Sequence, residues 1–317
     1  MKFHHIRDVL AVAETGSLRA AGRQLGITQP AITRSIRDIE NDLGAPLFER
    51  STNGVTLTPI GEVFVRRAAM IQSEMRRARD EVNQLKGHFV GQVSLAISPG
   101  AALSLVPSIL ANFRKRYPET LLRLTESFFQ PIEKSVISGE IDFFVGAYDH
   151  ELSTTSLSVE KLYDNQRVII ARRGHPLVQA RTLADLAKAQ WIRPSFANRP
   201  DEVDFSVMFE RAGLPAPKIT VHTCSTLMTL LAIANSDLLT MLPLQWVESD
   251  WTRDIVEPIF LEDVTSTCAP LCIVRRSDVP LTPVAEHLSD MSRKAAMNYH
   301  LDKRQNDQPS IRMLKAG

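Results

Sequence analysis

The fold turns on Ser17-Leu18-Arg19-Ala20-Ala21-Gly22-Arg23-Gln24-Leu25-Gly26-Ile27-Thr28-Gln29-Pro30-Ala31-Ile32-Thr33-Arg34. Ser17 suits an N-cap, and Leu18, Ala21 and Leu25 follow at helical spacing, which predicts a short helix. Gly26-Ile27 breaks it as a turn. Thr28 then stands where a second cap belongs, and Pro30 is tolerated in a first turn whose N–H groups have no helical partner. An apolar stripe of Ile32, Ile36, Ile39 and Leu43 runs on to Gly44, which stops the helix. Two short helices joined by a glycine-containing turn make a helix-turn-helix.

Upstream, Phe3, Ile6, Val9, Leu10 and Ala13 predict a helix ended by Gly16. Downstream, Leu47-Phe48-Glu49-Arg50 and Val55-Thr56-Leu57-Thr58 flank Asn53-Gly54, a strong hairpin signal. A two-stranded wing therefore follows the third helix, and residues 1–58 form one domain.

The third helix presents Gln29, Thr33, Arg34 and Arg37 on one face, with Thr28, Pro30 and Ala31 at its entry. Gln can read adenine and Arg can read guanine in the major groove, while Thr33 suits a phosphate or a thymine methyl. Asp38, Glu40 and Asp42 fall in the C-terminal half, away from that entry. On the wing, Arg50, Thr56 and Thr58 could reach the adjacent backbone. A solvated polar face, common in any three-helix domain, is the competing reading.

Pro59 opens a segment without glycine from Glu62 to Lys86. Phe64, Ala68, Ile71, Met75, Ala78, Val82 and Leu85 recur at alternating steps of four and three, the seam of a coiled coil. A lone helix cannot bury such a seam, so residues 59–87 predict a dimerisation helix; a surface helix packed on its own domain is the alternative. Beyond Gly87 and Gly91, strands at Val93–Ser98, Leu121–Glu126 and Ile141–Ala147 alternate with helices at Ala101–Tyr117 and Ile132–Ser138. A second block offers Val168–Ala171, helices at Leu183–Lys188 and Val203–Arg211, Ile219–Thr223, a helix at Leu227–Ala234, and Leu238–Leu242. Cys272–Arg275 and a helix at Pro283–Met297 close it. The alternation predicts an α/β region over 91–300 with a mostly parallel sheet, divided as roughly 91–160 plus 268–300 and 161–267. Residues 301–317 are polar and predict a mobile tail.

At 317 residues, 44% hydrophobic and 23% charged, the chain is long enough for several domains and apolar enough to bury cores. The net charge of +1 is unremarkable, but residues 1–90 carry 13 Lys+Arg against 10 Asp+Glu, and 11 of the 13 are arginine, the phosphate- and guanine-matching side chain. No run spans a membrane, and Met1-Lys2-Phe3-His4-His5-Ile6-Arg7-Asp8 lacks a signal peptide's apolar stretch, so a cytoplasmic protein is expected. Cys224, Cys268 and Cys272 cannot pair fully, and the Cys268–Cys272 spacing has no histidine at ligand distance; buried thiols are the better reading. No catalytic or cofactor constellation stands out, which predicts no enzyme activity and no cofactor.

The quoted stretch, with Ile36-Arg37-Asp38-Ile39-Glu40, Leu43-Gly44-Ala45-Pro46-Leu47-Phe48-Glu49-Arg50 and Leu57-Thr58-Pro59-Ile60-Gly61, resembles the winged helix-turn-helix of the LysR-type transcriptional regulators. Ser138-Gly139-Glu140-Ile141-Asp142, Gly174-His175-Pro176-Leu177 and Leu238-Leu239-Thr240-Met241-Leu242-Pro243 extend the likeness more loosely. Asn235-Ser236-Asp237 departs from it, since the family usually carries glycines there. The resemblance implies an α+β multi-domain protein: a winged helix-turn-helix, a long coiled-coil linker helix and an α/β effector domain of two periplasmic-binding-protein-like subdomains. It further implies a homotetramer on a pseudo-palindromic double-stranded operator, a small-molecule effector, and RNA polymerase as a partner.

Open α/β sheets bind ligands at the carboxyl ends of their strands. Ser98-Pro99-Gly100-Ala101, a small-residue turn opening a helix, forms an anion cradle there, where the resemblance also places the effector. Phe128, Phe129, Gly146 and Tyr148 end the next strands, and Ser195, Phe196, Asn198 and Thr223 face them from the second subdomain. The expected effector is a small organic or aromatic acid, although capping or packing explains each residue about as well. The rival function is a small-molecule-binding protein or enzyme carrying a helical interaction module.

Overall fold

The computed structural model describes all residues but 52–53, 150–154, 195–204, 265–266 and 314–317, with backbone alone at 50–51, 205–206, 267 and 302–313. The chain divides into two compact units, Met1–His88 with Ile137–Glu140, and Phe89–Val136 with Ile141–Gly317.

The first unit holds α1 (Phe3–Thr15), α2 (Leu18–Leu25), α3 (Gln29–Leu43), β1 (Phe48–Ser51), β2 (Gly54–Leu57) and α4 (Pro59–Leu85). Val9, Val12, Ala21, Ile32, Ile36, Ile39 and Leu47 form its core, so α3 buries the expected stripe up to Ile39. Leu43, at the helix end, is instead 43% exposed. β1 and β2 pair antiparallel from Phe48 opposite Leu57, which is the expected wing; its Asn53 lies outside the described residues. Along α4 the seam is divided. Phe64 packs on the helix-turn-helix core and Ala68 is buried, whereas Ile71, Met75, Val82 and Leu85 stand exposed.

The second unit contains β3 (Gly91–Ile97), α5 (Pro99–Arg116), β4 (Thr120–Glu126), α6 (Phe129–Ile137), β5 (Phe143–Ala147) and β6 (Leu157–Arg172). It continues through β7 (Gln190–Pro194), α7 (Phe205–Arg211), β8 (Lys218–Thr223), α8 (Thr226–Ala234), β9 (Leu238–Pro243), α9 (Gln245–Glu248), β10 (Val256–Ile259), β11 (Thr267–Arg276) and α10 (Pro283–Met313). One sheet runs in the order β4-β3-β5-β11-β6-β9-β7-β8, with β10 paired to β6. It is mixed rather than mostly parallel. β3 pairs parallel with β4 and β5, and β7 with β8 and β9, but β6 and β11 pair antiparallel with each other and their neighbours.

Separate buried clusters fill the two subdomains. Leu95, Leu105, Phe113, Phe143, Tyr163, Ile273 and Leu288 belong to one, Ile169, Trp191, Phe209 and Leu239 to a second, and Ile170, Ile192, Leu242 and Trp246 to a third. The expected boundary at 160/161 falls within β6, whose residues to Gln166 pair with β11 and those from Arg167 with β9. The expected helix at Leu183–Lys188 is a single 3-10 turn at Leu183–Leu186, and residues 203–204 lie outside the described part. The segment expected as a mobile tail continues α10 to Met313, since a polar helix carries no apolar stripe to announce it. Among the described residues no helix is long and apolar enough to cross a membrane.

Candidate nucleic-acid interface and effector cleft

The N-terminal interface is assembled by local chemistry. Ser17 Oγ accepts from the Ala20 amide and caps α2, and Gly26, at φ 67°, ends it in the left-handed region that favours glycine. The Ile27 amide donates to Gly22 O at 2.9 Å, and a Cβ on Gly22 would lie 2.8 Å from Ile27 O. Glycine at position 22 therefore lets the turn close tightly against α2. Thr28 occupies the N-cap of α3 without a side-chain cap bond, and Pro30 falls in its first turn, as expected.

Thr28, Gln29, Pro30, Ala31, Arg34 and Arg37 are exposed, while Thr33 is half-buried and donates to Gln29 O at 3.0 Å. A concavity of about 510 Å³ is lined by Gln29, Pro30, Thr33, Arg34, Arg37 and Asp38. Asp38 thus shares the face from which its helix position was expected to remove it. Glu40 is engaged elsewhere: its carboxylate accepts from the Leu47 and Phe48 amides at 2.8 and 3.2 Å, anchoring the first wing strand. On the wing Thr56 is exposed, and the side chain of Arg50 lies outside the described residues. Thr58 is not a surface contact. It is 6% exposed, donates to Pro46 O at 2.8 Å and accepts from the Gly61 amide at 2.9 Å, capping α4.

In the second unit, Ser98 leaves β3 with its amide on Val145 O at 2.9 Å and caps α5 without a side-chain bond. Ser98, Pro99, Gly100 and Ala101 are all buried. Phe129 meets Tyr148 edge to face at 4.8 Å, with both rings buried, and Phe128 is half-buried beside it in sequence. Gly146 sits in β5 opposite Cys272. From the second subdomain, Thr223 spends its hydroxyl on a local turn, bonding Ser225 O and the Ser225 amide, each at 3.2 Å. Ser195, Phe196 and Asn198 lie outside the described residues.

Sequence reading missed Gln245. It is 3% exposed, at the start of α9, and its Oε1 lies 3.6 Å from where a Cβ on Gly100 would be. Nothing local marks it, because its partners Tyr163 and Asn165 lie 82 and 80 residues away. Other marked positions prove to be joinery. His175 accepts from the Leu177 amide at 3.0 Å and reaches Asp237 O at 3.2 Å, and Arg172 pairs with the Asp237 carboxylate at 2.7 Å. Asn235 has φ −114°, so its own backbone does not call for a glycine. Burial pushes the Cys272 thiol up to about 11, with Lys161 acting against it, so it stays a protonated apolar filler; Cys268 is half-buried and Cys224 exposed.

The pattern described as bacterial regulatory helix-turn-helix protein, lysR family, matches residues 3–62, and that of the LysR substrate binding domain matches residues 86–297. The HTH-type transcriptional regulator TdcA of Escherichia coli (strain K12) is 27% identical over 242 residues, spanning 76% of this chain and 77% of its own. GbpR of Rhizobium radiobacter, also an HTH-type transcriptional regulator, is 26% identical over 275 residues, spanning 84% of this chain and 90% of its own. Among solved structures, CbnR, a LysR family transcriptional regulator, superposes with a TM-score of 0.68 at 20% identity, covering 93% of this chain and 99% of its own. CbnR has also been solved with its target DNA. A full-length OxyR from Pseudomonas aeruginosa gives a TM-score of 0.63 at 17% identity, covering 93% of this chain and 94% of its own.

Proposed function

The chain belongs to the LysR family, as a DNA-binding transcriptional regulator with an effector-binding domain and not an enzyme, and from that premise we propose how its parts divide the work. Gln29, Thr33, Arg34 and Arg37 read bases or phosphates of a pseudo-palindromic operator, with Thr56 beside them on the wing. The carrying observation is that α3 buries Ile32, Ile36 and Ile39 and thereby holds Gln29, Arg34 and Arg37 exposed on the opposite side.

The exposed Ile71, Met75, Val82 and Leu85 support pairing of two α4 helices in a dimer, which a tetramer would double. Two winged domains on one paired helix place their recognition helices one or more helical turns apart. The effector, an organic acid, binds between the two subdomains at the first turn of α5. By favouring one arrangement of them it alters the spacing of the DNA-reading heads, and so the contact with RNA polymerase.

The test is binding to DNA from upstream of the protein's own gene, against scrambled DNA, at one fixed physiological salt concentration. A preference above roughly a thousandfold supports sequence reading. A ratio near one sends the search to genome-wide binding, where the lack of any specific site overturns the proposal.

A further inference from the structure

We propose, on the reading of the cleft just given, that its ligand is a carboxylate bearing a hydroxyl or amino group on the neighbouring carbon, recognised jointly by the first turn of α5 and by Gln245. Gln245 Oε1 is a buried acceptor with no hydrogen-bond partner. Its Nε2 donates to Asn165 Oδ1 at 3.0 Å and lies 3.3 Å from Tyr163 Oη. Asn165 Oδ1 already accepts from the Gln166 amide at 3.1 Å, so flipping the Gln245 amide would set two acceptors against each other. The orientation is therefore fixed, and the unpartnered atom is an oxygen.

That oxygen faces the opening of α5. A Cβ on Gly100 would stand 3.6 Å from it, and 3.1 Å from the Pro243 side chain. A methyl group there would crowd Pro243, so a glycine at this position lets the first turn of α5 approach Pro243 and Gln245 closely. The Gly100 and Ala101 amides, in the first helical turn, have no partner within the helix, and Ser98 makes no side-chain cap bond. Amides at a helix N-terminus take an anion. An amide oxygen takes a donor and repels a second carboxylate. These two demands stand side by side, so a plain aliphatic or aromatic acid meets one and leaves Gln245 unpaired, whereas a 2-hydroxy or 2-amino acid meets both.

Calorimetric titration of the full-length protein with matched acids tests this: lactate against propionate, mandelate against phenylacetate, phenylalanine against 3-phenylpropionate. The donor-bearing member of at least one pair should bind roughly tenfold tighter or more, the discrimination expected when a buried acceptor is otherwise left unpaired. Which pair responds separates hydroxy from amino acids. Gln245→Met keeps the length and removes the acceptor, so the preference within a pair should collapse to within about threefold. The wild-type pairs decide the matter even where that variant fails to fold. Equal affinities within every binding pair overturn this inference and leave the acid-binding cleft standing, as does a preference that persists in folded Gln245→Met. Binding of no acid, with specific DNA binding intact, overturns the acid reading of the cleft and this inference with it.

Discussion

Thr226 donates its hydroxyl to the Glu126 carboxylate at 2.5 Å, although β4 and β8, which lead to these residues, lie at opposite ends of the sheet order. The bond joins the two subdomains between residues 100 apart in sequence. It is exposed, so its contribution to global stability is at most about 1 kcal/mol. Thr226→Val should leave the thermal midpoint nearly unchanged while hydrogen exchange at the N-terminus of α8 quickens several-fold. Exchange that stays at the wild-type rate would show that the bond does not hold the two subdomains together.

Arg34 is exposed on α3 and lines the concavity with Gln29 and Arg37. Arg34→Ala should weaken specific operator binding by roughly 1–3 kcal/mol and relax preference at one base position. A library randomised at each operator position reads this directly. Uniform loss on all sequences would make Arg34 a phosphate contact.

Gly22→Ala should act through folding instead. Its new methyl would press to 2.8 Å from a backbone oxygen of the turn, which must shift. A loss of about 1–3 kcal/mol in the DNA-binding unit follows. Denaturant unfolding of the full chain checks it, as a transition moved to lower denaturant with specific and non-specific DNA binding reduced together.

The exposed seam gives a prediction about assembly. Met75 and Val82 are 40% and 50% exposed on α4. Met75→Glu with Val82→Glu should lower the sedimentation mass at micromolar concentration and leave the helical content intact. An unchanged mass would place the dimer contact elsewhere.

Tyr163 supplies a pH signature. Burial pushes its phenol up to about 12 from an ordinary 10.0, with hydrogen bonds from Gln245 and Ser104 acting the other way. The folded state therefore keeps the proton that the unfolded state releases. The associated stability is complete below pH 10 and is lost as pH rises towards 12. Tyr163→Phe should be less sensitive than wild type across that window, measured by unfolding at several alkaline pH values.

The DNA-binding unit was largely legible because each of its first three helices carries its own punctuation: Ser17 and Thr28 at the starts, Gly16, Gly26 and Gly44 at the ends. Thr58 misled because it closes an alternating strand, yet the Pro59 that follows is the usual sign of a helix start and makes Thr58 its cap. The effector domain was harder. Leu157 to Asn165 of β6 are too polar to read as a strand from spacing alone, and pair only because β11 lies alongside. Glu40 and Gln245 owe their roles to partners that are brought near by folding, so neither has a local signature.

β6 and β11 have a mechanical consequence. Each is a single unbroken strand, 16 and 10 residues long, and β6 is built into the sheets of both subdomains. Turning one half against the other is therefore a torsion of paired strands, not the swing of a loop. The pairing of β11 with β6 slips twice, between Cys268 and Leu271 and between Leu271 and Cys272, with Pro270 inside the irregular stretch. A bulge bends its strand and raises the local right-handed twist. The strand pair that joins the two subdomains therefore concentrates its irregular twist at Cys268–Cys272.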